Sequence, residues 1–284
     1  MKNSALVNPV DYLIVGHLCV DITPQGRQLG GTAAYAALTA RALGMRVGVV
    51  TAWGGELSLA PLSNRGISIA AFATSQSTCF ENIRINNERV QILHHVAPGL
   101  AFGKIPAAWR STSIIHLGPI AQEVSPALAE QFPHSQVCLT AQGWLRGWDQ
   151  HGHVEPAPWS EASQILPFAD ATVISIEDVG RDETQIRAMA AVSDILVVTD
   201  GARGARVCWR GTWRHVPAPN VQETSATGAG DIFAAAFFIQ LLQSKNPWEA
   251  AAFANNMAAQ SVTTAGLQSI PTLDDLVRTK VQEL

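Results

Sequence analysis

The sequence carries little surplus charge and no long hydrophobic run. Its 19 Lys and Arg residues nearly balance 23 Asp and Glu, for a formal net charge of −4 and a pI near 6.0. This balance provides no broad basic surface for nucleic acid or an anionic membrane. No apolar run approaches the roughly 18 residues that span a bilayer, and residues 1–9 lack the apolar core of an export signal. We therefore expect a soluble protein with neither a nucleic-acid partner nor a membrane partner.

Cysteine is also sparse, and neither the cysteines nor the histidines are well placed for metal binding. The histidine pairs His94-His95 and His151-Gly-His153 have no cysteine nearby, and strand alternation would point His94 and His95 to opposite faces, so we expect no metal site there. The four cysteines are widely separated, each in an apolar strand-like run, and form neither a metal cluster nor a disulfide framework. They are Cys19, Cys79, Cys138 and Cys208. A reducing cytoplasm is the expected location.

Two common nucleotide-binding motifs are absent. No Gly-Lys-Ser/Thr sequence exists for a P-loop, and Gly228-x-Gly230 lacks the third glycine of a dinucleotide fingerprint because position 233 is Phe. No internal repeat or low-complexity linker divides the chain. These absences exclude the P-loop and dinucleotide-binding classes.

The chain does contain enough apolar residues for a large core, in a regular order. It is 47% hydrophobic and 15% charged over 284 residues, which is typical of a folded globular domain. Alternating strands and helices predict an α/β fold with a mostly parallel sheet covered on both faces. Strands are predicted at 12–16, 46–51, 67–72, 113–117, 136–140, 171–175 and 195–199, and helices at 32–43, 126–131, 160–166 and 182–191.

Two β-hairpins interrupt this alternation. Residues 79–85 and 90–95 alternate polar and apolar side chains around Asn86-Asn87-Glu88, which predicts a hairpin. This hairpin is either an ordinary excursion from the sheet or a lid over a site at its edge. A second hairpin is predicted at 206–215, with its turn at Arg210-Gly211.

The most informative segment is 224–238. Gly228, Ala229 and Gly230 form a small-residue loop, Asp231 follows, and a strongly apolar helical run begins at once. Such a loop can bring backbone N–H groups and a helix N-terminus close to an anion, and a neighbouring carboxylate can accept a proton. The alternative is a tight strand-to-helix turn in which Asp231 is only a helix-start acid.

Five short motifs occur in the order and spacing of one known family. They are Val15-Gly-His-Leu-Cys-Val-Asp21, the Gly30-Gly31 pair with its helix to Gly44, Val198-Thr-Asp-Gly-Ala-Arg-Gly204, Gly228-Ala-Gly-Asp231, and residues 253–266 with Ile270-Pro271. The chain resembles the ribokinase-like (PfkB) carbohydrate kinases over residues 16–271. The resemblance implies a single three-layer α-β-α domain, 1–284, with a small β lid from about 22–29 and 78–96.

The resemblance also implies roles for individual residues. Asp231 is the implied catalytic base, and the amides of Gly228, Ala229 and Gly230 stabilise the transferred phosphoryl group of ATP. The implied nucleotide-binding residues are Thr199, Gly201, Gly204 and Asn255. The implied substrate-binding residues are Asp21, Gly30, Gly31, Tyr35 and Arg146. For three of these residues, residue type alone leaves another role open. Asp21 is then a turn or cap carboxylate, Tyr35 a packing residue, and Arg146 a surface cation.

Several positions depart from the family pattern. Ser225 stands where the family has an Asp near a monovalent cation, so a K⁺ requirement stays open. The Mg²⁺-organising motif reads Ser175-Ile-Glu177-Asp178; Asp178 is expected to hold the metal through water, unless both acids simply begin a helix. The short segment 22–29 predicts a reduced lid and a monomer or weak homodimer.

The expected activity is transfer of the γ-phosphate of ATP to a hydroxyl of a small sugar or polyol. The motifs around Asp21, Tyr35 and Asp178 resemble the branch containing plant myo-inositol kinases. Two alternatives stay open. One is a nucleoside kinase, with Tyr35 and Phe80 against the base; the other is a non-catalytic sugar- or nucleotide-binding protein.

Overall fold

The computed structural model describes residues 8–85 and 88–271. The turn predicted at Asn86-Asn87 and the two ends of the predicted domain, 1–7 and 272–284, lie outside the described residues. The helices are α1 Thr32–Ala42, α2 Ala60–Ser63, α3 Ala162–Ile165, α4 Glu183–Val192, α5 Ala229–Ser244 and α6 Pro247–Ser261. The strands are β1 Tyr12–Val15, β2 Cys19–Thr23, β3 Gly26–Gly30, β4 Val47–Trp53, β5 Ser68–Ala73, β6 Thr78–Ile85, β7 Glu88–His95, β8 Ile114–Leu117, β9 Gln136–Thr140, β10 Arg146–Trp148, β11 Val154–Pro156, β12 Ala171–Ser175, β13 Ile195–Thr199, β14 Ala205–Trp209 and β15 Thr212–Val216.

A nine-stranded sheet forms the centre of the molecule. Its strand order is β15-β14-β13-β12-β9-β8-β1-β4-β5. Pairing is parallel from β5 through β13, whereas β14 and β15 add antiparallel strands at one edge. The predicted parallel sheet and the predicted hairpin at 206–215 are therefore confirmed.

Helices cover both faces of this sheet. Alternate side chains of β1 enter two separate cores: Tyr12 and Ile14 pack with α1, α5 and α6, whereas Leu13 and Val15 pack on the α3 and α4 side. The central strands are mostly apolar, as expected for a parallel sheet covered on both faces, with a few buried polar residues such as His116. This arrangement confirms the predicted three-layer α-β-α fold.

Helix α5 runs through the middle of one core. Its residues from Ile232 to Ile239 are all buried, which explains why the segment is apolar on every face. Gly228 precedes it in the left-handed conformation, and Lys245 ends it in the same conformation. The Asn246 side chain then caps α6 by accepting hydrogen bonds from Trp248 and Glu249.

A separate four-stranded sheet, ordered β3-β2-β6-β7, forms the lid. Its strands begin and end a few residues outside the predicted segment 22–29, since β2 starts at Cys19 and β3 reaches Gly30. His17 joins the lid to the main sheet: its Nδ1 lies 2.7 Å from Thr78 Oγ1 and its Nε2 lies 3.1 Å from the Pro98 carbonyl.

Some local predictions differ from the structure. Residues 126–131 form a 3₁₀ helix, and within 160–166 only Ala162–Ile165 is α-helical. Helix α4 begins at Glu183 with Asp182 as its N-cap, so Asp178 lies in the preceding turn and is not a helix-start acid. Within the described ranges, no helix is both long and apolar enough to cross a membrane.

Candidate active site

The carboxyl ends of the parallel strands meet the N-termini of α1 and α5 at one edge of the sheet. This is where open α/β sheets bind ligands. A cavity of about 620 Å³ opens there, and the lid covers part of it. It brings together most of the predicted site residues: Asp21, Gly31, Tyr35, Arg146, Asp178, Thr199, Gly201, Gly228, Ala229, Gly230 and Asp231.

Asp231 lies in the first turn of α5 and faces this cavity. Burial raises the pKa of its carboxyl to about 6, against a hydrogen bond from Thr32 and the positive charge of Arg146, which both lower it. Within the described residues, no salt bridge neutralises this carboxylate. Asp231 is therefore a half-buried, cavity-facing carboxyl whose pKa of about 6 lies in the range suited to a general base near neutral pH.

The raised pKa of Asp231 predicts a pH dependence for a reaction in which Asp231 acts as the general base. Only the ionised form of Asp231 can accept a proton, so kcat/KM should rise with pH and level off above about pH 6. A rate profile between about pH 4.5 and 8.5, with stability checked at each point, measures this. A profile that is flat across about pH 5–7 would contradict the assignment of the base to Asp231.

The same pKa predicts that Asp231 lowers stability at neutral pH. Its folded pKa of about 6 exceeds the ordinary value of 3.8, so the folded protein holds an extra proton between these values. Stability from this group is complete below pH 3.8 and is lost as the pH rises through about 6. Asp231→Asn should thus be more stable than the parent by roughly 1–3 kcal/mol at about pH 7.5. Urea unfolding at about pH 4.5 should show a smaller difference, and an equal difference at both pH values would contradict this.

The loop before α5 presents backbone amides to the cavity. Gly228 has φ 82°, and a Cβ built on it would lie 2.3 Å from the Tyr35 ring. The Ala229 N–H donates to the Ala226 carbonyl at 3.2 Å. The N–H groups of Gly228 and Gly230 make no such bond within the described residues. The structure thus leaves two of the three predicted amide donors open for an anion and commits that of Ala229 to a turn.

On the lid side, Asp21 projects from β2 into the same cavity. Gly30 lies beside it on β3, and a Cβ built there would lie 1.9 Å from Asp21 Oδ2. Asn82 Nδ2 donates to Asp21 Oδ1 at 3.4 Å, and Gln91 Nε2 donates to Asn82 Oδ1 at 2.9 Å. These polar groups form one array over the cavity. Sequence reasoning missed Asn82 and Gln91, although the alternation in the lid hairpin was a usable signal.

Arg146, at the start of β10, faces the cavity and not the outer surface. Its guanidinium lies 5.9 Å from the centre of the Phe80 ring, and Nη1 donates to the Ile120 carbonyl at 3.4 Å. Its charge lowers the pKa of both Asp231 and Asp178. An arginine between two carboxylates in a cleft is well placed to meet an anionic group.

Asp178 reaches the cavity from the turn after β12. Its Oδ2 accepts from the Ser175 N–H at 2.8 Å and its Oδ1 accepts from Gln142 Nε2 at 3.2 Å, while burial raises its pKa. No group of three His, Cys, Asp or Glu side chains that could hold a metal occurs in the described part of the chain. Mg²⁺ commonly uses one or two carboxylates, several waters and substrate phosphates. The donors near Asp178 fit that outer-sphere arrangement.

A second cavity of about 150 Å³ adjoins the first and shares Thr199 and Gly201 with it. Gly204 and Asn255 line it together with mainly apolar residues from α5 and α6. Asn255 Nδ2 donates to the carbonyls of Val216 and Pro217 at 2.9 and 3.2 Å. This amide therefore holds the chain after β15 in place beside the cavity.

Comparison with known proteins finds similarity to carbohydrate kinases. The pfkB family carbohydrate kinase signature matches residues 168–273. The chain is 31% identical over 173 residues to inositol 3-kinase of Zea mays, covering 58% of this chain and 43% of that protein. It is 25% identical to inositol 3-kinase of Oryza sativa, covering 98% and 74%. The matched segment, residues 168–273, therefore resembles the pfkB family carbohydrate kinases. The resemblance seen in the motifs is confirmed.

Solved structures share the fold of this chain. A pyrophosphate-dependent kinase in the ribokinase family, complexed with a pyrophosphate analog and myo-inositol, superposes with a TM-score of 0.78 at 19% identity, covering 94% of this chain and 99% of that one. Ribokinase of Thermotoga maritima gives a TM-score of 0.76 at 19% identity, covering 96% and 99%. The chain spans less than half of the length of the maize relative.

Proposed function

We propose that this protein is a kinase that moves the γ-phosphate of ATP to a hydroxyl of a small sugar or cyclitol, with myo-inositol as the first candidate acceptor. One observation carries the proposal: Asp231, two open amides and Asp21 face the same cavity. Polyol phosphorylation needs a base, an anion site and a hydroxyl acceptor in such proximity. The inositol 3-kinases among its relatives support the choice of acceptor.

The residues suggest one order of events. Asp21 and the side-chain amides of Asn82 and Gln91 in the lid hold neighbouring hydroxyls of the sugar or cyclitol. Asp231 then accepts the proton of the reacting hydroxyl while its oxygen bonds to the γ-phosphorus, and the bond to the β-phosphate oxygen breaks to release ADP. The amides of Gly228 and Gly230 donate to the transferred group, whose charge Arg146 also offsets. When bound, Mg²⁺ would neutralise phosphate charge, held by Asp178 through water.

The alternatives have less support. A nucleoside acceptor needs an exposed aromatic face, but Tyr35 is 4% exposed and Phe80 is 3% exposed. A non-catalytic binding protein gives no reason to keep an ionisable, destabilising carboxyl at position 231. Pyrophosphate is the alternative donor, because a structural relative uses it. The apolar second cavity favours ATP, since it offers a place for an adenine ring.

The test is an acceptor panel with two donors. Purified protein with Mg²⁺ and either ATP or pyrophosphate is incubated with myo-inositol, ribose, fructose, 2-keto-3-deoxygluconate or adenosine, with and without K⁺. We expect ADP formation with ATP and at least one polyol, and a new phosphomonoester signal by ³¹P NMR. Turnover of adenosine alone would favour the nucleoside alternative, and no turnover of any acceptor would reject the kinase.

We further propose that the protein acts in the cytoplasm as a monomer or weak homodimer. The short β2–β3 hairpin supports this, because it offers little lid surface for pairing. Light scattering after size-exclusion chromatography at several protein concentrations tests it, and a dimer that persists on dilution would reject it.

A further inference from the structure

A buried chain of hydrogen bonds leads from the core to the wall of the large cavity. Tyr12 Oη lies 2.7 Å from His116 Nδ1, and His116 Nε2 lies 2.9 Å from Thr140 Oγ1. Tyr12 and His116 are fully buried, while Thr140 is 6% exposed and lines the cavity. Phe238 of α5 packs edge-on against the His116 ring, with the ring centres 5.0 Å apart. The chain therefore has a closed end in the core and an open end at the site.

The closed end determines where each hydrogen lies. Burial lowers the pKa of His116 to about 3, so the ring is neutral and carries a single N–H. His116 is the only hydrogen-bond partner of the Tyr12 hydroxyl within the described residues. If Tyr12 accepted from Nδ1–H, its own hydrogen would be buried without an acceptor, at a cost of roughly 1–3 kcal/mol. Tyr12 therefore donates to Nδ1.

The direction of the Tyr12–His116 hydrogen bond also fixes the direction of the next hydrogen bond, between His116 and Thr140. With Nδ1 as acceptor, the ring hydrogen sits on Nε2 and donates to Thr140 Oγ1. The Thr140 hydroxyl must then direct its own hydrogen away from His116. No other partner of Thr140 Oγ1 occurs in the described structure, and the cavity is the open side of this residue.

Thr140 lies in the part of the cavity where the polyol substrate is proposed to bind. A Cβ built on Gly118 would lie 3.2 Å from Thr140 Oγ1 and 2.8 Å from Thr32 Cγ2, and Thr32 donates to Asp231. Thr140 does not line the smaller cavity on the nucleotide side. Its hydroxyl is thus close to Thr32, which donates to Asp231, and it lines the same cavity as the lid carboxylate Asp21.

We propose that Thr140 donates a hydrogen bond to a hydroxyl of the polyol substrate that neighbours the reacting hydroxyl. Tyr12 and His116 are then positioning residues that set the direction of the Thr140 hydroxyl hydrogen. The inference rests on the proposed kinase function and narrows its substrate class. A lid carboxylate that accepts hydrogen bonds and a Thr140 hydroxyl whose hydrogen is directed to the same cavity favour a polyol with hydroxyls on several adjacent carbons. Cyclitols meet this requirement around the whole ring.

The kinetic test uses Thr140→Val, which keeps the shape and removes the hydroxyl, with Thr140→Ser as the matched control. Thr140→Val should raise the KM for myo-inositol about 5- to 20-fold, with the KM for ATP unchanged, and Thr140→Ser should stay within about 2-fold.

Tyr12→Phe frees the hydrogen of the His116 ring to move between its two nitrogens and should cause a smaller rise in the KM for myo-inositol. The double variant Tyr12→Phe/Thr140→Val should match Thr140→Val alone, because the two residues act through one hydrogen bond. An unchanged KM for myo-inositol in Thr140→Val, in an enzyme that phosphorylates it, would overturn the proposal.

A spectroscopic test is independent of turnover. In ¹⁵N-histidine-labelled protein, His116 is the ring that remains neutral at mildly acid pH and is perturbed in Thr140→Val. Its two-bond ¹H–¹⁵N pattern should show the hydrogen on Nε2 in the parent and a mixture in Tyr12→Phe. A hydrogen on Nδ1 in the parent would overturn the proposal whatever the activity. If no polyol is phosphorylated, both the kinase proposal and the proposed role of Thr140 in substrate binding are wrong. The ¹H–¹⁵N pattern of His116 still shows the direction of its hydrogen bonds in that case. Thermal unfolding of each variant checks that the fold is kept.

Discussion

Replacing Asp231 with Asn should lower kcat by about 10²- to 10⁴-fold. The amide keeps the size of the side chain but cannot accept the proton of the acceptor hydroxyl. The KM for ATP should change little, because the Gly228 and Gly230 amides remain in place. Steady-state ADP release with the accepted polyol measures both parameters.

The matched control for this variant is Asp182→Asn. Asp182 caps α4 through hydrogen bonds from Thr184 and Gln185 and does not line the cavity, and Asn is as good an N-cap as Asp. Its kinetics should therefore match the parent. If Asp231→Asn kept parental kcat, Asp231 could not be the base and the proposed mechanism would be wrong.

The second large effect is expected for Gly228→Ala. The residue has φ 82°, and its added Cβ would meet the Tyr35 ring at 2.3 Å. Both the left-handed backbone and the clash push the loop away from its position, so we expect a loss of roughly 2–4 kcal/mol in unfolding free energy. Displacement of the amides should also reduce kcat, by about 10-fold or more.

Gly230→Ala is the control for the stability measurement. Position 230 has no unusual φ, and a Cβ built there meets nothing within 4 Å. In the first turn of α5, Ala should be neutral or slightly stabilising by about 0.5–1 kcal/mol. Urea unfolding of the two variants under the same conditions compares them. Equal losses would show that the left-handed backbone and Tyr35 do not govern the loop.

Several features of the site could be predicted because they are local in sequence. A Gly-Ala-Gly-Asp segment followed by an apolar run places an anion loop, a carboxylate and a helix start within eight residues of one another. The predicted positions of Arg146 and Asp178 in the cavity also agree with the structure, because both follow strands whose ends share one edge of the sheet. Their roles stay predictions until the variants are measured.

Other features depend on pairings that no local pattern records. Thr32 reaches Asp231 across α1 and α5, and Ala229 commits its amide to a turn that depends on the conformation of 226–229. Asn255 lines the second cavity, and its predicted role in nucleotide binding stays a prediction, while its amide hydrogens bond the carbonyls at 216 and 217. In each case a hydrogen-bonding group had several possible partners, and packing selected one.

The sequence by itself predicted the α/β class, most strands of the central sheet, and the loop and helix start around Asp231, since periodicity, glycine and helix-start signals act within a few residues. Only the tertiary structure decided which polar groups meet. Tyr12 and His116 are 104 residues apart, and His116 and Thr140 are 24 apart. They come into contact because parallel strands β1, β8 and β9 lie side by side. Burial of that contact then leaves one low-energy arrangement of its hydrogens.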